Sequence, residues 1–259
     1  MKTLKTFFIV LAAGAFLSAN AQTADEIIAN FLENTGGAAN WQKLNGFKFT
    51  AKLNINAQGM ELPLEVIQLK DGRQMSAVTF QGKEIKQGVY DGKTLWSVNF
   101  MTMKAEASDA EATANFKLTL NDFPDPFINY RGKGYKVELL GKETVEGTET
   151  FKVKLIKEPV TVDGKKEEDV SYYYFDTENF VPIVVESEVR SGPGKGMTQR
   201  TTLSDYQEVD GLYFAFSTNI GVKGQPSGQS ISIKSIELNP KVDDAVFKMP
   251  SESGAKDKK

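Results

Sequence analysis

The side chains of this sequence that could do chemistry are mostly carboxylates, because the chain contains no His and no Cys. Without imidazole or thiol there is no Ser-His-Asp or Cys-His nucleophile, and no zinc site of the usual nitrogen and sulfur ligands. Two pairs of acids are spaced closely enough to consider together. Asp122 and Asp125 bracket Phe123-Pro124, and Glu186 and Glu188 are two apart. Two carboxyls can hydrolyse a glycosidic bond when one protonates the leaving oxygen and the other attacks or activates water. The plainer account is a proline turn in one case and the polar parity of a strand in the other. Tyr172-Tyr173-Tyr174-Phe175 offers ring stacking on sugars or bases, but strand alternation would divide those four rings between two faces. The charged run Asp163-Gly164-Lys165-Lys166-Glu167-Glu168-Asp169 has too few spaced oxygens for a calcium loop and reads as a solvated hairpin. No cofactor or metal is expected, and the residue types favour a protein that binds over one that catalyses.

The elements that would position these groups are mainly strands. Thr23 and Glu26 have capping-box spacing, Ile27, Ile28, Phe31 and Leu32 form one apolar stripe, and Gly36-Gly37 supplies a stop. That predicts a helix over 24–35, with a short helical turn near Trp41 and Leu44. From Gly46 the period changes to two. Phe47, Phe49, Ala51, Leu53 and Ile55 alternate with polar residues, then Met60, Leu62, Leu64 and Val66 do so after a turn at 56–59. Pro63 inside that second strand suggests an edge or a bulge. Turns at Asp71-Gly72, Gly82-Lys83 and Asp91-Gly92 predict strands near 73–80, 84–90 and 94–100. Residues 107–121 break the rhythm with a helix start at Ser108-Asp109 and apolar Ala112, Phe116 and Leu120. Strands resume near 135–141, 150–157, 170–176, 182–190, 197–206, 212–220 and 229–238, for about eleven or twelve in all, joined by hairpins and therefore antiparallel.

An antiparallel sheet this large tends to curl, and its apolar face needs a cover. The few helices available suggest a strongly curved open half-barrel plugged by helices, with 107–127 as lid or plug. Candidate cavity residues on the apolar parity are Phe49, Leu53, Leu62, Leu64, Val66 and Met75, with Trp96 and Phe100 on the strand near 94–100. Ile28, Phe31, Leu32 and Phe116 are the candidate plug or lid residues. A closed, ordinary core would produce the same alternation, so both possibilities stand at this point.

The chain opens with Lys2 and Lys5, an apolar run from Phe7 to Leu17, and Ala19-Asn20-Ala21. This is the order of a cleaved secretory signal over residues 1–21, too short to cross a membrane. No Cys follows it to carry a lipid. The expected mature protein is one domain over 22–250 with a disordered polar tail over 251–259. Loss of the leader removes two cations and no acid, which moves the net charge from −3 to −5. An acidic chain without a basic patch is not expected to bind nucleic acid.

Several stretches resemble a known family. Val89-Tyr90-Asp91-Gly92-Lys93-Thr94-Leu95-Trp96 is similar to the S-D-G-K-T-L-W stretch of periplasmic lipoprotein carriers of the LolA kind. Asp243-Asp244-Ala245-Val246-Phe247-Lys248-Met249-Pro250 resembles their closing segment, and Tyr174-Phe175-Asp176 followed by Pro182 resembles an internal strand start. Ser204-Asp205-Tyr206 with Val209-Asp210-Gly211 is similar to a late strand pair, and Ala24 to Gly37 to the opening of an outer-membrane lipoprotein-sorting subgroup. The resemblance implies a soluble periplasmic monomer, not an enzyme, that carries acylated lipoprotein or a related lipid between membrane-bound donor and acceptor proteins. An envelope protein-interaction module with the same fold and no lipid is the alternative. One departure concerns gating. The family pairs an Arg with Pro at one strand end, and that Arg bonds the lid; here Leu69-Lys70-Asp71-Gly72-Arg73 lacks the proline. Arg73 is the candidate gating cation, and a solvated turn cation is its plain alternative.

Overall fold

A computed structural model describes residues 22–250 apart from 193 and 227. The expected leader and tail therefore lie outside the described residues. Helix α1 (Ala24–Asn34) opens with the capping box: Glu26 N donates to the Thr23 hydroxyl at 3.2 Å, and Thr23 N donates to the Glu26 carboxylate at 2.8 Å. It buries Ile27, Ile28 and Phe31. Gly36 follows with φ 110°, and a Cβ there would stand 2.1 Å from the Gly211 carbonyl oxygen. Only glycine permits both that backbone and that approach. The turn leads into α2 (Ala38–Trp41), where the Trp41 indole donates to Thr35 O at 3.0 Å.

Among the described residues thirteen strands then form one antiparallel, unclosed sheet. They are β1 (Gly46–Ile55), β2 (Met60–Leu69), β3 (Gln74–Phe80), β4 (Lys83–Tyr90), β5 (Leu95–Val98) and β6 (Ala105–Ala107), followed after an insertion by the rest. The insertion holds α3 (Ala110–Thr119). Beyond it come β7 (Lys136–Val145), β8 (Thr148–Val162), β9 (Lys165–Asp176), β10 (Pro182–Glu188), β11 (Thr198–Val209), β12 (Leu212–Val222) and β13 (Gln229–Leu238). Each strand pairs with its neighbour in the chain, with two exceptions. β13 pairs with β1, so the first and last strands meet in the middle of the sheet. β6 and β7 do not pair; they are its two free edges, and the chain between them is the insertion carrying α3.

The expected class and antiparallel order match the structure, and the strand count rises to thirteen because of β6. Three residues, Ala-Glu-Ala, are too few to show alternation. Pro63 lies on β2, between β1 and β3, but the β2–β3 ladder begins only at Leu64. The proline thus sits where one side of the strand has no partner to hydrogen-bond.

One face of the sheet carries the helices and is called inner here. On it α1 packs Ile27, Ile28 and Phe31 against Phe127, Phe151, Val153, Leu155 and Phe175 of the insertion and β8–β9. Trp41 packs with Leu44, Ile128 and Leu212, and its ring meets Phe214 at 5.0 Å. Tyr173 and Phe175 share this face, whereas Tyr174 packs with Val145 and Val184 in a separate cluster, so the aromatic run does divide.

The outer face is not uniformly polar. Ile67, Leu69, Met75, Ala77, Val89 and Trp96 form a second seam there, closed by Phe247 of the final 3-10 turn (Asp244–Phe247), with Val242, Val246 and Met249 around it. The Trp96 indole donates to Phe247 O at 2.9 Å, and Lys86 Nζ donates to Val246 O at 2.8 Å. Runs that do not alternate, Val66-Ile67 and Leu95-Trp96, are the sequence mark of strands buried on both sides.

Candidate functional site

The ladder registers assemble an apolar wall on the inner face. Ile233 of β13 pairs with Ala51 of β1, Ala51 with Leu64 of β2, Leu64 with Val78 of β3, and Val78 with Ile85 of β4. This single rung crosses five strands, about 19 Å at the usual strand spacing. Phe49 and Val66 pair on one side of it, Leu53 pairs with both Leu62 and Ile231 on the other. The middle of the rung, Ala51, Leu64, Val78 and Ile85, is buried; Phe49, Leu53, Leu62, Val66, Ile231 and Ile233 are only partly buried around it. Among the described residues, every member of this cluster comes from a strand. The helical packing of α1 and α2 belongs to other clusters, over β7–β9 and around β12.

Helix α3 spans from one arm of the sheet to the other. Asp109 caps it, accepting from Ala112 N at 2.7 Å. Glu111 accepts from Asp163 N at 3.0 Å and Gly164 N at 2.8 Å, and the Asn115 amide both donates to and accepts from the backbone of Thr161. These four bonds hold α3 to the β8–β9 turn. At the opposite arm Phe116 tilts against Tyr90 of β4, centroids 5.0 Å apart. No residue of α3 is buried. It is a strap tied at the surface, fixed by hydrogen bonds worth roughly 0.5–1.5 kcal/mol each.

The structure brings Phe49, Leu53, Leu62, Leu64 and Val66 into one apolar cluster. It separates three other candidates from them. Met75 and Trp96 belong to the outer seam beneath Phe247, because Met75 pairs with Ile67 and not with a wall residue. Phe100 lies beyond β5 in the β5–β6 turn, 60% exposed. Of the candidate plug residues, Ile28 and Phe31 are buried in the α1 core and Leu32 packs beside it, with Phe31 in ring contact with Phe127 and Phe175. Phe116 alone is on the strap. Arg73 is ion-paired with Asp71 at 2.7 Å and with Asp244, and its guanidinium stands 5.4 Å from the Phe247 ring. With Asp71, Asp244 and the Phe247 ring as its partners, it pins the C-terminal turn to the outer face rather than a lid helix.

Ile231, Ile233, Val78 and Ile85 complete the wall and were not singled out by sequence. Alternation in 229–238 pointed to the first two, but a register shift at Thr50/Ala51 hides which strand they face. Glu111 and Asn115 carried no signal, since their partners are some fifty positions away.

Asp122, Glu186 and Glu188 are ion-paired, whereas Asp125 is held by a backbone hydrogen bond. Asp122 accepts from Tyr135 Oη at 2.9 Å and from Lys157 Nζ at 2.8 Å, and Lys157 also reaches Asp169. Asp125 accepts from Phe127 N at 2.8 Å, and burial pushes its carboxyl up to about 6. Burial also lowers the ammonium of nearby Lys133. Glu186, buried on β10, is held by Tyr174 Oη at 3.0 Å, Lys223 Nζ at 2.9 Å and Arg200 at 3.2 Å. Glu188 pairs with Arg190.

An open antiparallel sheet with helices on its inner face and a helical strap between its free edges is the LolA-like fold. The chain is similar to a LolA superfamily protein from Nitrosomonas europaea at 15% identity, covering 88% of this chain and 98% of that one, with a TM-score of 0.50. It is likewise similar to a DUF1329 family protein from Desulfovibrio piger at 13% identity, with 86% and 97% covered and a TM-score of 0.51. No family model matches the sequence, and no curated protein matches it. At these identities the likeness concerns the fold. Among the described residues no helix is long and apolar enough to cross a membrane.

Proposed function

We propose that this protein is a non-enzymatic carrier of the periplasm, holding the acyl chains of a lipoprotein or a related envelope lipid against the inner wall of β13, β1, β2, β3 and β4. One observation carries this: a rung of aliphatic side chains across five strands, flanked by half-buried apolar neighbours, in a cluster that takes in no helix residue among the described residues. Burial of a methylene contributes roughly 0.8 kcal/mol, so a 16-carbon chain gains on the order of 12 kcal/mol before costs. Lifting the strap breaks a handful of surface hydrogen bonds and offsets only part of that, which keeps loading reversible. Donor and acceptor proteins in the two membranes would complete the route.

Native mass spectrometry of the protein purified from the periplasm of an expressing bacterium tests this directly. The expected result is a bound lipid mass, displaced by a fluorescent fatty acid at micromolar concentration. Leu62→Gln, on the partly buried flank of the wall, should weaken that uptake about tenfold, near 1.4 kcal/mol, without changing the strand signal in circular dichroism. Tryptophan emission is a poor reporter, because Trp96 is buried on the outer face and Trp41 packs under Phe214. Absence of any lipid, together with no uptake by the unmodified protein, would end the carrier reading.

A further inference from the structure

Seven large apolar side chains are exposed among the described residues: Phe80, Phe100, Met101, Met103, Leu140, Met197 and Tyr213. Because every ladder is antiparallel, the connections β1–β2, β3–β4, β5–β6, β8–β9, β10–β11 and β12–β13 all fall at one end of the sheet. Five of the seven lie in or beside those connections. Phe80 is at the β3–β4 turn, Phe100, Met101 and Met103 are in the β5–β6 turn, and Met197 is in the loop before β11. The β5–β6 turn is built to present them. Asn99 Oδ1 accepts from Met101 N at 2.9 Å and Thr102 N at 3.2 Å, Met103 N donates to Asn99 O at 2.8 Å, and Glu106 receives Asn99 Nδ2 and Thr102 Oγ1. Polar groups of the turn are thereby tied to one another, and Met101 stands 94% exposed at its tip.

We infer that this rim contacts the surface of a lipid bilayer containing anionic lipid. Three observations select a membrane as the occupant. The apolar groups sit on separate turns, each too small for a protein interface, which needs about 800 Å² per partner. Turns 80–83 and 99–104 carry Lys83 and Lys104, while the carboxylates beside them are engaged, Glu84 by Lys86 and Glu106 by Asn99 and Thr102, a combination of apolar tip and cation suited to anionic headgroups. Third, the Leu53, Leu62 and Ile231 side of the wall lies toward the β1–β2 turn, so the apolar inner surface runs out to this same rim. The contact goes beyond cargo binding and does not require it. It supplies the place where an acyl chain could pass between bilayer and wall without crossing water.

Co-sedimentation of the mature chain with vesicles of phosphatidylethanolamine and phosphatidylglycerol tests the inference. The protein should bind them, and binding should fall when phosphatidylcholine replaces both lipids. Phe100→Ser, Met101→Ser and Met103→Ser combined should reduce partitioning by about tenfold or more, whereas Leu140→Ser on β7 should leave it within about twofold. Met101→Trp adds a readout that does not depend on loss of function: its emission should shift to the blue with vesicles. Equal binding by the triple variant, no shift from Trp at 101, or an equal loss from Leu140→Ser would overturn the proposal. Fatty-acid uptake in vesicle-free buffer separates the two claims. If uptake fails while vesicle binding holds, the carrier reading falls and the membrane contact stands.

Discussion

Asp125 is a part-buried carboxyl beside the α1 core, and that has a consequence for pH. Burial raises its folded value to about 6 from an ordinary 3.8, against the backbone hydrogen bond from Phe127 and the nearby Lys133, which act the other way. Between about pH 4 and 6 the folded chain therefore keeps a proton that the unfolded chain has lost. Stability from this group must fall as pH rises through that window, by up to roughly 3 kcal/mol, and stay flat above it. Denaturant unfolding at pH 4.5 and 7.5 should show that slope, and Asp125→Asn should flatten it and gain stability at pH 7.5. Parallel slopes in the two proteins would contradict it. On the outer face, Phe247→Ala should cost about 3–5 kcal/mol, since it opens the seam that Trp96, Met75 and Ile67 share. A shift of the unfolding midpoint below what 1 kcal/mol gives would count against that seam as a core. At this scale the sequence was readable where alternation was strict, as at Phe49, Leu53, Leu62, Leu64 and Val66. It misled at Met75 and Trp96, where the strand is apolar on both sides and parity cannot say which cover each residue meets.

Among the elements, α1 was the most legible, because its box, stripe and glycine stop are local features. The existence of α3 was legible for the same reason, from Ser108-Asp109 and the apolar residues after it. Its role as a strap was not, because Glu111 and Asn115 act on Thr161, Asp163 and Gly164, a turn that reads by itself as solvated. The bonds suggest a way to tune loading. Asn115→Ala removes two of them and touches no buried residue. The variant should take up fluorescent fatty acid several-fold faster, show faster amide exchange over 110–119, and lose about 1 kcal/mol or less of global stability. Unchanged uptake with accelerated exchange would mean that the strap does not control access.

For the whole molecule, hairpin succession predicted almost every pairing, since each strand finds its neighbour in the chain. The pairing that no local signal could give is β1 with β13, because both read as ordinary strands and nothing in either names its partner. That seam determines how the wall is made: Ile233 and Ile231 complete it from the far end of the sequence. It also places the two apolar surfaces of the first six strands, inner wall and outer seam, under the control of residues 229–249, which supply β13 to one and Phe247 to the other.

Thr50 and Ser235 share a 2.7 Å hydrogen bond across 185 positions. A ribosome must therefore add those 185 positions before the central ladder can form. Until then β1 is a ten-residue template with open amides, a hazard for aggregation that a holding chaperone would have to mask. Closing so distant a contact is slow, and slowness has a use. A chain that cannot complete its central ladder early stays longer in the extended form that a narrow pore admits.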